Sequence, residues 1–284
     1  MELNDNIGNF GASSDIRTRN RTLHILQLFE SRPLWTVEDI AAEMGVSISS
    51  AYRDVKELSN TGFLAPSARS QYMLGPAFIR YDLLMRQGDP LVAGATEPMR
   101  RLLAKTTQHG VALISRRFRD QVMCVHQERG TDHPPISTYE RGVALPMFRG
   151  ATSKAILAHI GDRPLKQVYL EHEQEIRDSA GFASWKLFAA EMKRIREAGA
   201  ASTDSEVASG RIGIAAPVFA DGQVVAGVSL VLELKRFDRA GFTEAVKHCA
   251  QEISAALDAS GVTYASQTPR TPSNETKDVA CPGA

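Results

Sequence analysis

The chain has 284 residues, which is long for one hydrophobic core and enough for two domains of about 100 to 200 residues each. Its content of 43% hydrophobic and 23% charged residues is typical of globular proteins and excludes a largely disordered chain. Thirty-three basic residues balance 33 acidic ones, so an argument for a nucleic-acid partner must rest on local pattern and not on net charge.

The two ends and the cysteines bear on the compartment. Residues 1–14 and 261–284 are polar and aperiodic, and we expect disordered tails there. The N-terminus lacks a basic segment followed by an apolar one, and no run reaches the roughly 18 apolar residues that a membrane span requires. Three widely separated cysteines fit a reducing compartment, so we expect a soluble, cytoplasmic protein without a membrane partner.

Three helices in close succession are predicted within residues 15–75. Apolar side chains at helical spacing predict a first helix, which stops before Pro33. Thr36 has the character of a cap and begins a short second helix that Gly45 ends. Ser47 then caps a third helix. Two helices joined by a tight glycine turn are typical of the bihelical unit that binds DNA.

A wing and a linker helix follow these helices. Residues 63–65 and 71–74 predict two short strands around a polar loop, which completes a winged helix-turn-helix domain over 15–75. Residues 76–89 contain an amphipathic segment that predicts a helix connecting this domain to the rest of the chain.

Residues 90–260 mix helical and strand periods without regular alternation, which indicates an α+β domain with an antiparallel sheet. Asp221-Gly222 predicts a tight hairpin between the last two strands, and a long loop is expected over 128–146. The predicted strands cover 111–115, 121–127, 200–206, 212–220 and 223–232, and the predicted helices cover 91–109, 151–160, 163–172, 185–198 and 238–257.

The outward positions of the third helix carry groups that can bond base edges and phosphates. Hydroxyls at the start of this helix also lie where backbone dipoles favour phosphate, and Arg53 is the best single candidate for a DNA contact. The predicted DNA-binding residues are Arg19, Ser47, Ser49, Ser50, Tyr52, Arg53, Lys56 and Arg69.

The local charge weakens this prediction. Residues 1–75 carry seven basic and nine acidic side chains and are net negative by two, whereas most helix-turn-helix domains gain affinity by neutralising phosphates. The basic groups are clustered, however, at Arg17, Arg19 and Arg21, on the third helix and in the wing. A winged helix that binds protein therefore stays open as an alternative.

An enzyme is the other class to weigh, because a thiol and an imidazole can together act as nucleophile and base. The candidates are Cys124, His126, His133 and Cys249. No nucleophile elbow, zinc-protease motif or phosphate-binding loop accompanies them, and a small buried cysteine is the simpler interpretation. We expect no enzymatic activity and no cofactor.

Five segments are familiar as sequence: RTLHILQLFE, LWTVEDIAAEMGVSISSAYRDVKELSNTGFL and YMLGPAFIRYDLL in the first half, and GVALPMFRGATSKAILAHI and EMKRIREAGAASTDSEVASGRIGIAAPVFADGQVVAGVSLV in the second. Through them the sequence resembles the IclR family of bacterial transcriptional regulators. The resemblance covers residues 16–258. It implies a homodimer through the N-terminal domains, commonly a dimer of dimers, that binds double-stranded operator DNA, and a GAF-like C-terminal domain that binds a small organic-acid effector.

The resemblance also implies where the effector would lie. The expected pocket residues are Leu145, Met147, Phe148, Arg149, Gly150, Ala151, Thr152, Thr203, Gly213, Ser229 and Val231. Family members often have a cysteine where this chain has Gly213. Zinc requires thiolate or imidazole ligands, and a glycine supplies neither, so we expect no metal site. Arg149 can form a bidentate pair with a carboxylate or be an ordinary surface arginine, and Met147 and Phe148 suit either an aromatic ligand or core packing.

Overall fold

The computed structural model describes residues 21–106, 110–130, 140–233 and 238–261. The predicted tail over 1–14 and most of the one over 261–284 lie outside the described residues, as does Arg19. The chain divides into two compact units, one that ends at Glu97 and one that begins at Pro98.

The N-terminal unit contains the three predicted helices, and their apolar sides form one core. The most buried members of that core are Ile25, Ile40, Ala51, Val55 and Leu64, each at most 2% exposed. The helices are α1 (Arg21–Leu28), α2 (Val37–Met44) and α3 (Ile48–Asn60).

Local chemistry sets the boundaries of α2. The Thr36 hydroxyl accepts a hydrogen bond from the Asp39 amide at 3.1 Å, and the Asp39 carboxylate accepts one from the Thr36 amide at 3.4 Å. These two bonds lower the pKa of Asp39 and confirm the predicted cap. Gly45 ends the helix at φ 64°, a left-handed backbone conformation that residues other than glycine rarely adopt.

A three-stranded antiparallel sheet completes the predicted winged helix-turn-helix. Its strands are β1 (Trp35–Thr36), β2 (Leu64–Pro66) and β3 (Gln71–Leu74), in the order β1-β3-β2. The sequence does not predict β1, because two residues are too few to show a period. Helix α4 (Ala77–Gly88) then matches the predicted linker, and α5 (Pro90–Thr106) follows it.

The C-terminal unit is built on a six-stranded antiparallel sheet in the order β6-β5-β4-β9-β8-β7, which confirms the α+β prediction. Asp221 and Gly222 make the predicted hairpin turn with φ values of 50° and 71°. The strands are β4 (Val111–Phe118), β5 (Gln121–Arg129), β6 (Ala144–Pro146), β7 (Ala201–Asp204), β8 (Arg211–Ala220) and β9 (Gln223–Glu233).

The described helices of this unit cover the sheet. They are α6 (Ala151–Leu157), α7 (Asp162–Glu171), α8 (Glu173–Ala180), α9 (Trp185–Ala198) and α10 (Arg239–Ser260). Helices α6 and α10 both contact β8 and β9, and successive residues along these strands are buried on either face, which explains their nearly continuous apolar runs.

The structure differs from the sequence prediction at two places in this unit. The expected loop over 128–146 contains the short strand β6, which pairs with β5 at the edge of the sheet. The sequence also gives no sign of α8, because Ile176 is the one buried side chain among residues 173–179 and a single apolar residue shows no period.

Candidate functional site

One side of α3 is packed into the N-terminal core and the other side is free. Ala51, Val55 and Leu58 are buried, whereas Ser49, Arg53 and Lys56, about half a turn away, are exposed. Ser47 caps the helix, since its hydroxyl accepts a hydrogen bond from the Ser50 amide at 3.3 Å. The predicted outward face of α3 is therefore exposed to solvent.

The start of α3 carries a connected group of polar side chains. The Ser47 Oγ lies 3.2 Å from the Ser49 Oγ and 3.0 Å from the Ser50 Oγ. One turn further on, the Arg53 guanidinium donates to the Ser50 Oγ at 3.4 Å. The structure thus brings four of the predicted DNA-binding residues together, and we call Ser47, Ser49, Ser50 and Arg53 the serine-arginine cluster.

Three further predicted DNA-binding residues lie within the described ranges, on α3 and in the wing. Tyr52 is 52% exposed on α3, and Lys56 is exposed one turn beyond it. Arg69 is exposed at the tip of the wing between β2 and β3, with a left-handed φ of 58°. The wing and α3 therefore offer separate basic groups.

Arg21 plays a different part from the one that its place in the basic cluster predicts. Its guanidinium binds Asp54 of α3 at 3.1 and 3.2 Å, and the Asp54 side chain is only 12% exposed. Arg21 is thus engaged in holding α1 to α3. The pair cancels one positive and one negative charge, so the net charge of −2 that the sequence gives for residues 1–75 is unchanged, and Arg21 is not free to contact phosphate.

In the C-terminal unit, the first turn of α6 lies very close to the sheet. A Cβ atom at Gly213 would lie 3.3 Å from the Ala151 Cβ and from the Thr203 Oγ1. One at Gly227 would lie 3.1 Å from the Thr152 Cγ2. A side chain at either glycine would be tightly packed against α6, and the close approach brings Ala151, Thr203 and Gly213 of the predicted pocket together.

A buried ion pair ties α6 to the segment between β7 and β8. The Lys154 ammonium lies 2.7 Å from a carboxylate oxygen of Glu206, and the two side chains are 10% and 14% exposed. The Arg149 Nε also donates to the Glu206 backbone carbonyl at 3.1 Å. Lys154 and Glu206 could not be identified from the sequence, because they are distant in the chain and neither belongs to a motif.

The hydrogen bond to Glu206 uses only one nitrogen of the Arg149 guanidinium. Only its Nε has a hydrogen-bond partner among the residues that the structure describes, so both terminal nitrogens are available. That geometry suits a second, bidentate partner such as a carboxylate.

Other predicted pocket residues fall in different places. Met147 and Phe148 are at most 1% exposed and belong to the core that includes α7 and α9, which favours the core-packing alternative for them. Leu145 lies in β6, at the opposite edge of the sheet from Thr203. Gly150 has a φ of 86° and precedes α6 without a side-chain cap.

Ser229 and Val231 lie on the sheet face that α6 covers. Ser229 is fully buried, and its hydroxyl has no hydrogen-bond partner within the described ranges. Val231 packs in a cluster of four buried residues from three neighbouring strands, a grouping that the sequence does not show because it depends on how the strands pair. The other members of that cluster are Val111, Leu113 and Cys124.

Cys124 and Cys249, the two cysteines within the described residues, are buried. Burial raises the pKa of Cys124 and of Cys249 to about 12, so both thiols are protonated at neutral pH. The Cys124 thiol donates to the backbone carbonyl of His126, while the His126 ring bonds Glu128 at 3.0 Å. The other candidate, His133, lies outside the described residues.

Within the described residues, histidine, cysteine and carboxylate side chains do not form a group that could hold a metal ion. Over the same ranges no helix is long and apolar enough to cross a membrane.

Both parts of the chain match known sequence families. Residues 87–255, more than half of the chain, match the family model described as the bacterial transcriptional regulator IclR C-terminal domain. Residues 21–68 match the model described as an HTH domain.

Two curated relatives align along most of the chain. The HTH-type transcriptional regulator KipR of Bacillus subtilis is 27% identical over 245 residues, which cover 84% of this chain and 96% of KipR. The HTH-type transcriptional regulator BhcR of Paracoccus denitrificans is 26% identical over 254 residues, which cover 87% of this chain and 90% of BhcR.

Solved structures share the fold. The crystal structure of the Thermotoga maritima IclR has a TM-score of 0.66 at 21% identity and covers 86% of this chain and 99% of its own. An IclR homolog from Microbacterium hydrocarbonoxydans, complexed with 4-hydroxybenzoate, has a TM-score of 0.71 at 19% identity and covers 84% and 98%.

Proposed function

The chain belongs to the IclR family of bacterial transcriptional regulators, and from that premise we propose that α3 reads double-stranded operator DNA. The observation that carries the proposal is the serine-arginine cluster at the exposed start of α3. In helix-turn-helix proteins the second helix of the unit, which is α3 in this chain, contacts base edges with residues near its N-terminus. Lys56 and the wing residue Arg69 then supply phosphate contacts, and the protein acts in the cytoplasm.

Loss of Arg53 tests this proposal. Arg53→Ala should weaken binding to the DNA upstream of the protein's own gene by more than about tenfold, as expected for loss of about 1 to 3 kcal/mol at a base contact. The matched control is Arg163→Ala, which removes an exposed arginine from α7 in the other unit. Mobility shifts at fixed low salt measure both variants. Equal affinity of Arg53→Ala and the wild type would remove Arg53 from the interface.

We also propose that the protein is a homodimer, and that two dimers associate further. In support, no side chain of α4 is buried, and Ile79 and Met85 are 75% and 66% exposed. Phe78 and Tyr81 of α4 contact Phe63 of the same chain. A second α4 would cover the apolar side chains that have no such contact.

Sedimentation of the full chain tests the dimer. Ile79→Glu should dissociate it, whereas Leu170→Glu should not, although Leu170 of α7 is also 60% exposed. A wild-type chain that sediments as a monomer at micromolar concentration would refute the proposal.

The third part of the proposal is that a small organic acid binds in the C-terminal unit and modulates operator binding. Arg149 supports an acid, since its terminal nitrogens are available and its Nε is already fixed. The buried Ser229 hydroxyl supplies a neutral polar group on the sheet face under α6. A structurally similar homolog complexed with 4-hydroxybenzoate makes aromatic acids the first class to test.

Calorimetry with benzoate and 4-hydroxybenzoate tests the effector. Arg149→Gln should lower the affinity for whichever acid binds and leave operator binding without acid unchanged. Arg163→Gln is the control for the lost charge. An Arg149→Gln variant with wild-type affinity would show that the carboxylate binds elsewhere.

A further inference from the structure

Ile48 is the first residue of α3, and its side chain is 56% exposed. Its spacing from the buried Ala51 and Val55 would turn it toward the core in a longer helix. At the first helical position, however, it lies beyond the packed part of the N-terminal unit. Tyr52, one turn later on the same side, is 52% exposed. The pair forms an apolar strip beside the serine-arginine cluster.

Single exposed apolar residues are common on protein surfaces and need no explanation. The position of this strip is what distinguishes it, because it adjoins the hydroxyls and the guanidinium that the proposed function places at base edges. In the major groove, thymine carries a methyl group on C5, and apolar side chains recognise it by contact. Phosphates and the other groups of the base edges are polar and offer Ile48 no such partner.

We propose that Ile48 reads a thymine by contacting its C5-methyl group, with Tyr52 packed alongside. The inference rests on the proposed function of α3 and adds one feature of the operator to it. Each half-site then contains a thymine at one fixed position, next to the bases that Ser49 and Arg53 contact. Ile48 is thus a specificity-determining residue of the DNA interface.

The test begins by selecting duplexes from a randomised pool with the full-length protein at low salt. In the selected duplex, each thymine is replaced in turn by deoxyuridine, which removes the C5-methyl group and keeps every hydrogen-bonding group. Removing one methyl contact should weaken binding about fourfold, and replacement in both half-sites of a dimer should weaken it about 15-fold.

Two variants assign the effect to Ile48. Ile48→Ala should bind the thymine and deoxyuridine duplexes equally, and Ile48→Val should keep most of the preference. Leu23→Ala is the matched control, because Leu23 is 54% exposed on α1, and it should retain the full preference. Melting curves of the variants should match that of the wild type, since the Ile48 side chain is largely exposed.

The outcomes separate this inference from the function on which it rests. Selection of no duplex would refute DNA reading by α3, and the inference would fall with it. A selected duplex that the wild type binds equally with thymine or deoxyuridine at every position would overturn the inference alone. A preference that persists in Ile48→Ala would assign the methyl contact to another residue. Placing 5-methylcytosine at the sensitive position should restore part of the affinity that unmethylated cytosine loses.

Discussion

The ion pair between Lys154 and Glu206 gives a quantitative prediction for the C-terminal unit. The two charges lie 2.7 Å apart and are 10% and 14% exposed, so each depends on the other for stabilisation. Lys154→Met removes the ammonium and leaves the Glu206 carboxylate buried without its partner. Breaking a buried pair in this way typically costs about 3 kcal/mol or more.

The size of the unit converts that loss into a melting temperature. For domains of 150 to 250 residues, 1 kcal/mol corresponds to about 2 to 4 °C, so Lys154→Met should lower Tm by about 6 to 12 °C. The double variant Lys154→Met/Glu206→Leu removes both charges and should recover much of the loss, because two apolar side chains of similar volume often replace a buried pair without cost.

Tryptophan fluorescence measures the effect in this unit alone. The chain has two tryptophans, Trp35 in the N-terminal unit and Trp185 in α9. In a Trp35→Phe background, fluorescence therefore follows only the C-terminal unit. Lys193→Met is the control, since its ion pair with Glu197 is exposed at 3.8 Å and its loss should leave Tm unchanged. A Lys154→Met variant that melts within 2 °C of the wild type by this assay, about 1 kcal/mol or less, would refute the reasoning.

Three further predictions concern stability. Thr36→Ala removes the cap of α2 and should cost about 1 kcal/mol, measured by urea unfolding with Trp35 as the reporter. Gly227→Ala places a Cβ 3.2 Å from the Ile156 Cγ1 and should lower the free energy of unfolding by about 1 to 3 kcal/mol. The control is Gly88→Ala, whose Cβ meets open space and should leave stability unchanged or slightly raised. Burial lowers the pKa of His159, so below pH 6.5 the unfolded chain binds a proton at this ring more readily than the folded chain does. The free energy of unfolding should therefore fall as the pH drops below 6.5. Unfolding series at several pH values should show a weaker pH dependence for His159→Gln.

Features that depend on a few neighbouring residues could be predicted from the sequence. The cap at Thr36, the glycine turn at Gly45 and the hairpin at Asp221-Gly222 need only local hydrogen bonds or a left-handed backbone, and all three are confirmed. The outward face of α3 follows equally from helical period, because a 13-residue helix with one apolar side has little choice of orientation.

Features that depend on distant residues could not be predicted. The bonds of Arg21 to Asp54 and of Lys154 to Glu206 join residues far apart in sequence, and a charge carries no sign of its partner. Ile48 stands at helical spacing from the buried Ala51 and Val55, yet its place at the first position of α3 leaves it 56% exposed. Tertiary context decides each of these cases.

The most direct test of DNA reading by α3 is a crystal structure of the full chain bound to a selected operator duplex. We predict α3 in the major groove, with Ser49 and Arg53 within about 3.5 Å of base edges or phosphates. A complex in which α3 faces away from the duplex, with the DNA held by another surface, would contradict the account.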